Sequence, residues 1–96
     1  SEAGRVDEAV QRLDAAIAHT GELQGLIVAS EAGIILADAD AVDRAEPRLR
    51  ASLDSLESAG LDNERVEAAA ALARALDRAG REQDADAVWQ QYGPRG

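Results

Sequence analysis

Residues 66–92, VEAAAALARALDRAGREQDADAVWQQY, are the most informative part of the sequence, because two helical patterns meet in them at a glycine. Alanine and leucine, which favour helices, dominate the part before Gly80, and β-branched residues that favour strands are few. Glycine at that position can end a helix in the left-handed backbone conformation. The stretch therefore predicts a helix over about 62–79, a tight turn, and a second helix over about 82–92.

The same pattern occurs earlier in the chain. In each copy a small residue is followed four positions later by a large apolar one, and a leucine lies nine residues before the small one. These positions are Leu36, Ala45 and Leu49 in the first copy and Leu76, Ala85 and Trp89 in the second, an interval of 40 residues. Ala9 and Leu13 form a third, partial copy 36 residues before Ala45. Equal offsets of this kind indicate a repeated helical hairpin.

Three further helices are predicted before this stretch. Apolar residues at spacings of three and four predict a helix over 5–19, which Gly21 can close in the left-handed conformation. Segment 22–38 is apolar nearly all round, so it belongs at the centre of the domain. A third helix begins at Asp43 with an acidic capping box, and Gly60 ends it. The sequence thus predicts an all-α chain of about five helices with short connections.

Composition and charge exclude several classes of protein. The 96 residues carry a formal net charge of −9, and 46% of them are hydrophobic, including 22 alanines. This length fits one domain with one small core, and no apolar run reaches the roughly 20 residues of a membrane-spanning helix. The absence of cysteine excludes a disulfide framework and thiolate chemistry, and the acidic excess repels nucleic acid. We expect a cytoplasmic, bacterial protein, whose acidic, lysine-free composition fits either salt adaptation or GC-rich coding.

The repeated hairpin resembles the tetratricopeptide repeat, a helix pair of about 34 residues. The best match runs from Val66 to Tyr92, and its matching positions are Ala69, Leu72, Ala73, Leu76, Gly80, Ala85 and Trp89. A looser match from Leu26 to Leu56 has Asp40 at the turn, where glycine is usual. The resemblance implies antiparallel hairpins stacked in a right-handed array, with a half unit at about 4–20 and full units at about 22–60 and 62–93. We expect this single domain over 1–96 to be part of a longer chain, and an irregular helical bundle is the alternative fold.

The resemblance also implies a function. In that family the first helices of successive units line a concave groove that holds a peptide, and the matching positions here are Ile27, Ser30, Ile34, Ala37, Glu67, Ala70, Arg74 and Asp77. We therefore expect a non-enzymatic module that binds a protein or peptide, and the acidic charge is compatible with a basic partner. A ligand with a free C-terminal carboxylate is disfavoured, because only Arg74 could bind it. The alternative is a structural or oligomerising segment of a larger repeat protein, or an accessory domain of an enzyme.

Residues with catalytic or metal-binding chemistry have simpler interpretations. His19, the only imidazole, lies near Asp14 and Thr20, but a position at a helix C-terminus explains it through the helix dipole. Asp38, Asp40 and Asp43 lack the central glycine and the alternation of a calcium loop, and turn formation accounts for them. We therefore assign no catalytic, cofactor-binding or metal-binding residue and expect no cofactor. We also expect neither nucleic acid nor a membrane as a partner.

Two hydrophobic features lie at the ends of the chain. Trp89 and Tyr92 share one side of the last helix, where we predict that Trp89 packs in the core, and the sequence leaves Tyr92 open between core and surface. At the other end, the apolar stripe Val6, Val10, Leu13 and Ile17 lies on a helix that lacks a partner in the repeat. An exposed stripe of this kind predicts self-association, with a homodimer as the simplest form.

Overall fold

The chain folds into five helices, which a computed structural model describes over residues 2–17 and 21–95. They are α1 (Glu2–Ile17), α2 (Glu22–Asp38), α3 (Val42–Ala59), α4 (Asp62–Arg78) and α5 (Glu82–Tyr92), and these described ranges contain no strand. The Cα radius of gyration is 12.9 Å, close to the value of about 13 Å for a compact domain of 100 residues. The predicted all-α class and the five helices are confirmed.

The helices repeat along the chain with an offset of 40 residues. Helix α2 begins at 22 and ends at 38, and α4 begins at 62 and ends at 78; α3 and α5 begin at 42 and 82. The turns after α2 and α4 are also equivalent, because Asp40 (φ 60°) and Gly80 (φ 80°) both adopt the left-handed conformation. In each turn the following N–H bonds back to a leucine carbonyl, Leu36 or Leu76. Asp40 thus takes the backbone role that glycine takes one unit later.

The core is built from leucine and alanine around α2. Helix α2 packs against α1, α3 and α4, as its apolar circumference predicted. The largest fully buried side chains are Leu36, Leu49, Leu53, Leu56, Leu72, Leu76 and Val88. A Cβ on Gly33 would lie 2.7 Å from Cγ of Leu49, so the glycine allows α2 and α3 to approach closely. Small residues therefore set the spacing of the helices, and leucines fill the space between them.

Two predictions about helix ends are wrong. Asp43 is the second residue of α3 and makes no capping hydrogen bond; the helix starts at Val42, because the Asp40 turn already directs the Ala41 carbonyl toward the N–H groups of Arg44 and Ala45. Gly21 is not left-handed but extended (φ −69°, ψ 166°), since it forms the N-cap of α2 rather than the end of α1. The prediction for His19 lies outside the described residues.

Helix α5 is fixed by long-range polar contacts of Tyr92, which the sequence left open, and not by burial of Trp89. The Tyr92 hydroxyl donates to Asp54 Oδ1 of α3 at 2.5 Å, and the buried Arg65 of α4 donates from Nε to the Tyr92 carbonyl at 2.9 Å. Tyr92 is buried, whereas Trp89 is 43% exposed, so the prediction of Trp89 as a core residue is wrong. The buried stripe of α5 is Ala85, Val88 and Tyr92, which leaves Trp89 at its edge.

Candidate protein-interaction surface

Ion pairs join the C-terminal ends of α2 and α4. Arg78 donates from Nε to Asp40 Oδ1 at 2.5 Å and from Nη2 to the carbonyl of Ala37 at 2.9 Å. Arg74 lies 3.9 Å from Asp38, measured between Nη2 and Oδ1. These contacts hold the two helices side by side at this end. Residues that precede them by whole helical turns are consequently placed on one shared surface.

The predicted groove residues divide into exposed and buried positions. On α4, Glu67, Arg74 and Asp77 are exposed and Ala70 is half-buried. On α2, Ile27 and Ile34 are half-buried, whereas Ser30 and Ala37 are buried. The Ser30 hydroxyl donates to the carbonyl of Ile27, three residues earlier in the same helix, at 2.8 Å, so it has a partner within α2. Ser30 and Ala37 consequently offer almost no surface to a ligand.

One exposed residue of this region was missed in the sequence. Glu31 lies seven residues before Asp38, and Glu67 lies seven residues before Arg74, so both glutamates are two turns from the ion pair that joins their helices. Glu31 is exposed and, like Glu67, has no arginine within ion-pair distance among the described residues. The pattern that could have identified Glu31 is the presence of a charged residue inside an otherwise apolar helix. We name the surface formed by Ile27, Glu31, Ile34, Glu67 and Arg74 the central surface.

Most arginines of the chain are already paired. Nine of the ten form ion pairs with carboxylates, while ten acids of the described residues lack such a pair: Glu2, Glu22, Glu31, Asp43, Asp54, Glu64, Glu67, Asp77, Glu82 and Asp86. Arg44, Arg48 and Arg50 form ion pairs with Asp7, Asp14 and Glu46 respectively. The net negative charge is therefore displayed by unpaired acids rather than balanced locally.

The paired groups have shifted ionisation. Hydrogen bonds from Arg81 and Arg50 lower the pKa of the Glu46 carboxyl below its usual value, and the raised pKa of Arg81 reflects the same contact. The contact between Arg48 and Asp14 likewise lowers the pKa of Asp14 and raises that of Arg48. These pairs therefore stay charged at neutral pH and fasten α5 and α1 to α3.

The predicted self-association stripe is largely used inside the chain. Val10 is 3% exposed in the core, and Val6 and Leu13 pack against that core as half-buried residues. Ile17 is also half-buried. Arg44 and Arg48 of α3 reach across to α1 through their ion pairs. Val10 therefore presents no surface for a second copy to cover.

An open hollow of about 500 Å³ lies between the start of α2 and the end of α3. Leu23, which is 56% exposed, and Leu26 line its apolar part. Glu22, Asp54, Ser55 and Ser58 line its polar part. No local pattern in the sequence indicates this hollow, because it forms between two helices.

Two of the three aspartates considered for calcium have other partners. Asp38 and Asp40 bind Arg74 and Arg78, and the described residues contain no group of three acidic or imidazole side chains arranged for a metal ion.

Among the helices of the described residues, none combines the length and apolar character needed to cross a bilayer.

Comparison of the chain with models of protein families, with curated proteins and with solved structures gives no significant match. The function is consequently inferred from the surfaces of this chain alone.

Proposed function

We propose that the protein is a non-enzymatic interaction module that binds a basic, partly apolar protein or peptide segment on the central surface. The observation that carries this proposal is the arrangement of Glu31 and Glu67, two exposed glutamates without arginine partners, beside the half-buried isoleucines Ile27 and Ile34. A ligand that supplies lysine or arginine to the acids and an apolar side chain to the isoleucines satisfies both.

The arrangement of helices supports a TPR-like array of antiparallel hairpins as the framework of this surface. The 40-residue offset relates the hairpin α2–α3 to the hairpin α4–α5, and the first helices of the two units, α2 and α4, pack side by side. Helix α1 packs on α2 as α3 packs on α4, which is the relation expected of a half unit before two full units. In such an array the first helices form a continuous binding surface.

The charge of the central surface determines the proposed ligand. Arg74 is 3.9 Å from Asp38, and its positive charge is therefore partly compensated by the protein itself. A basic segment gains from the remaining acids and from the overall charge of −9, which accelerates its association at low salt. An acidic segment, or the carboxylate end of a chain, is repelled by the same acids.

A peptide-display selection against the immobilised full-length chain tests this function. We expect the selected peptides to be rich in arginine or lysine next to leucine or isoleucine. A synthetic copy of a selected peptide should lose about tenfold or more in affinity for a Glu31→Arg, Glu67→Arg variant, and its affinity should fall as sodium chloride rises. A matched control, Asp43→Arg with Glu82→Arg, makes the same change of charge at exposed positions of other helices.

The control separates local recognition from general attraction to an acidic protein. If both double variants weaken binding equally, the ligand is held by net charge alone and the central surface is not the site. Selected peptides without a basic excess would also contradict the proposal. Thermal unfolding by circular dichroism checks that both variants remain folded.

A further inference from the structure

The two equivalent units differ in which positions are covered. Among the positions of α2 that are buried, three become half-buried or exposed 40 residues later on α4: Ser30, Gly33 and Ala37 correspond to Ala70, Ala73 and Asp77. On the second helix of each unit, Leu49 is 0% exposed and its counterpart Trp89 is 43% exposed. We name Ala70, Ala73, Asp77 and Trp89 the end surface.

The first unit demonstrates what covers such a surface. Helix α4 packs against both α2 and α3, and Arg78 of α4 contacts the carbonyl of Ala37. The covering element is therefore an alanine-rich helix, whose small side chains permit a close approach. No described helix of this chain takes the equivalent place next to α4 and α5, which leaves the indole of Trp89 at the surface.

Asp86, beside the end surface, occupies the position in the second unit that Glu46 occupies in the first. Glu46 precedes Leu49 by three residues and receives Nη1 and Nη2 of Arg81 at 2.7 and 3.0 Å. Asp86 precedes Trp89 by three residues, is exposed, and has no arginine within ion-pair distance among the described residues. In the first unit, Glu46 is thus bound by Arg81, the arginine that follows the covering helix α4. In the second unit the equivalent acceptor, Asp86, is exposed, and no arginine of the described residues binds it.

We propose that the end surface docks an alanine-rich helix of a basic partner protein, in the position that α4 occupies on α2 and α3, with an arginine of the partner bound to Asp86. The small residues Ala70 and Ala73 admit the helix, Trp89 is covered by its apolar side, and Asp77 and Asp86 select for positive charge. The end surface adjoins the central surface on α4 but shares no residue with it, so the inference does not rest on the proposed function.

Charge favours a partner of another kind over a second copy of this chain. Two copies meeting at their end surfaces would bring Asp77 and Asp86 of each together, in molecules that each carry a net charge of −9. Nine of the ten arginines are already engaged within the chain. A basic helix meets no such repulsion.

Trp89 is the only tryptophan, so its fluorescence reports directly on whether the end surface is covered. The probe is a synthetic peptide with the sequence of residues 62–81, which contains no aromatic residue and in which four arginines balance four acids. It tests the docking of the helix and of its arginine without the repulsion expected of a second copy of the acidic chain. A covalent bridge between positions 63 and 67, both exposed in α4, keeps it helical and reduces the cost of ordering it. We expect a saturable blue shift of the Trp89 emission when the peptide is added to the full chain.

Two matched variants make the test specific. Ala73→Glu in the protein places a bulky charge on the end surface and should abolish the shift. Asp86→Arg should weaken binding about tenfold or more, and a peptide with Arg81→Asp should restore the affinity for that variant by reversing the ion pair. The Glu31→Arg, Glu67→Arg variant should bind the peptide normally, which distinguishes failure of this inference from failure of the proposed function.

Three results would overturn the inference. These are the absence of a shift up to millimolar peptide, an equal shift with the Ala73→Glu variant, and a blue shift that depends on protein concentration without peptide. The last result, supported by sedimentation of a dimer, would identify a second copy as the occupant.

Discussion

Replacing Arg65 with methionine should detach the end of α5 and destabilise the whole domain. Arg65 is 4% exposed, and its guanidinium donates from Nε to the Tyr92 carbonyl at 2.9 Å and from Nη1 to Asp62 Oδ1 at 2.6 Å. A third contact, to the carbonyl of Gly93, is 3.5 Å long and contributes little. Methionine retains an apolar stem of similar length but donates no hydrogen bond.

The magnitude follows from which partner is buried. A hydrogen bond to a charged group contributes about 1.5–3 kcal/mol, and its removal leaves the Tyr92 carbonyl without a donor near the last turn of α5. The Asp62 side chain is 74% exposed, so the ion pair contributes less than about 1 kcal/mol. The guanidinium no longer has to be removed from water, which offsets part of the loss. We expect a net loss of about 2–3 kcal/mol in the free energy of unfolding.

Urea denaturation followed by circular dichroism measures this loss. With a denaturant slope of about 1–3 kcal/mol per molar for a small protein, the midpoint should fall by about 0.7–3 M at an unchanged slope. Asp62→Asn is the matched control, because it removes the exposed partner alone and should cost less than about 1 kcal/mol. If Arg65→Met unfolds within about 0.5 kcal/mol of the original chain, or if Asp62→Asn costs as much, the reasoning about the buried carbonyl is refuted.

Further predictions concern packing, pH and salt. Gly33→Ala should lower the free energy of unfolding, measured by thermal denaturation, by about 1–3 kcal/mol, because the new methyl group overlaps Leu49. The same change in an open helix stabilises by about 1 kcal/mol. Combination with Leu49→Ala should cost less than the sum of the two changes, and strict additivity would contradict the contact. The hydrogen bond to Asp54 raises the pKa of Tyr92 to about 12. The contribution of this tyrosine to the free energy of unfolding should therefore be fully retained below about pH 10 and be lost between about pH 10 and 12, because the tyrosine of the unfolded chain ionises first. The Tyr92→Phe variant should lose less stability over the same pH range. Because the pKa of Glu46 is lowered in the folded chain, its charged carboxylate stabilises the fold above the ordinary pKa of a carboxyl group, and this stability is lost as the pH falls. Glu46→Gln should therefore be less stable at pH 7 and lose less stability in acid. An unchanged dependence of stability on acid pH would contradict this prediction. The thermal midpoint should rise with sodium chloride, because salt screens the repulsion of a chain with net charge −9, and a flat or falling midpoint would be inconsistent with that repulsion.

The number, the type and most of the bounds of the helices follow from local patterns in the sequence. The predicted ranges 22–38 and 82–92 coincide with α2 and α5, and Gly60 and Gly80 both adopt the left-handed conformation expected at helix ends. These features depend on spacing, propensity and turn chemistry within a few residues, all of which are visible in one stretch of chain. The central position of α2 was also predictable, because a helix that is apolar on all sides must be surrounded.

Which side of a helix is covered depends instead on how the helices pack together. In α5, Ala85 begins two apolar stripes, one through Trp89 and one through Val88 and Tyr92, and the repeat pattern favoured the former. The contacts of Tyr92 with Asp54 and Arg65, 38 and 27 residues away, select the latter. The exposed Trp89, the covered Ser30 and Ala37, and the unpaired Glu31 all depend on where neighbouring helices lie. Burial at these positions is a property of packed pairs of helices, and distant residues of the chain that supply those partners leave no local pattern in the sequence.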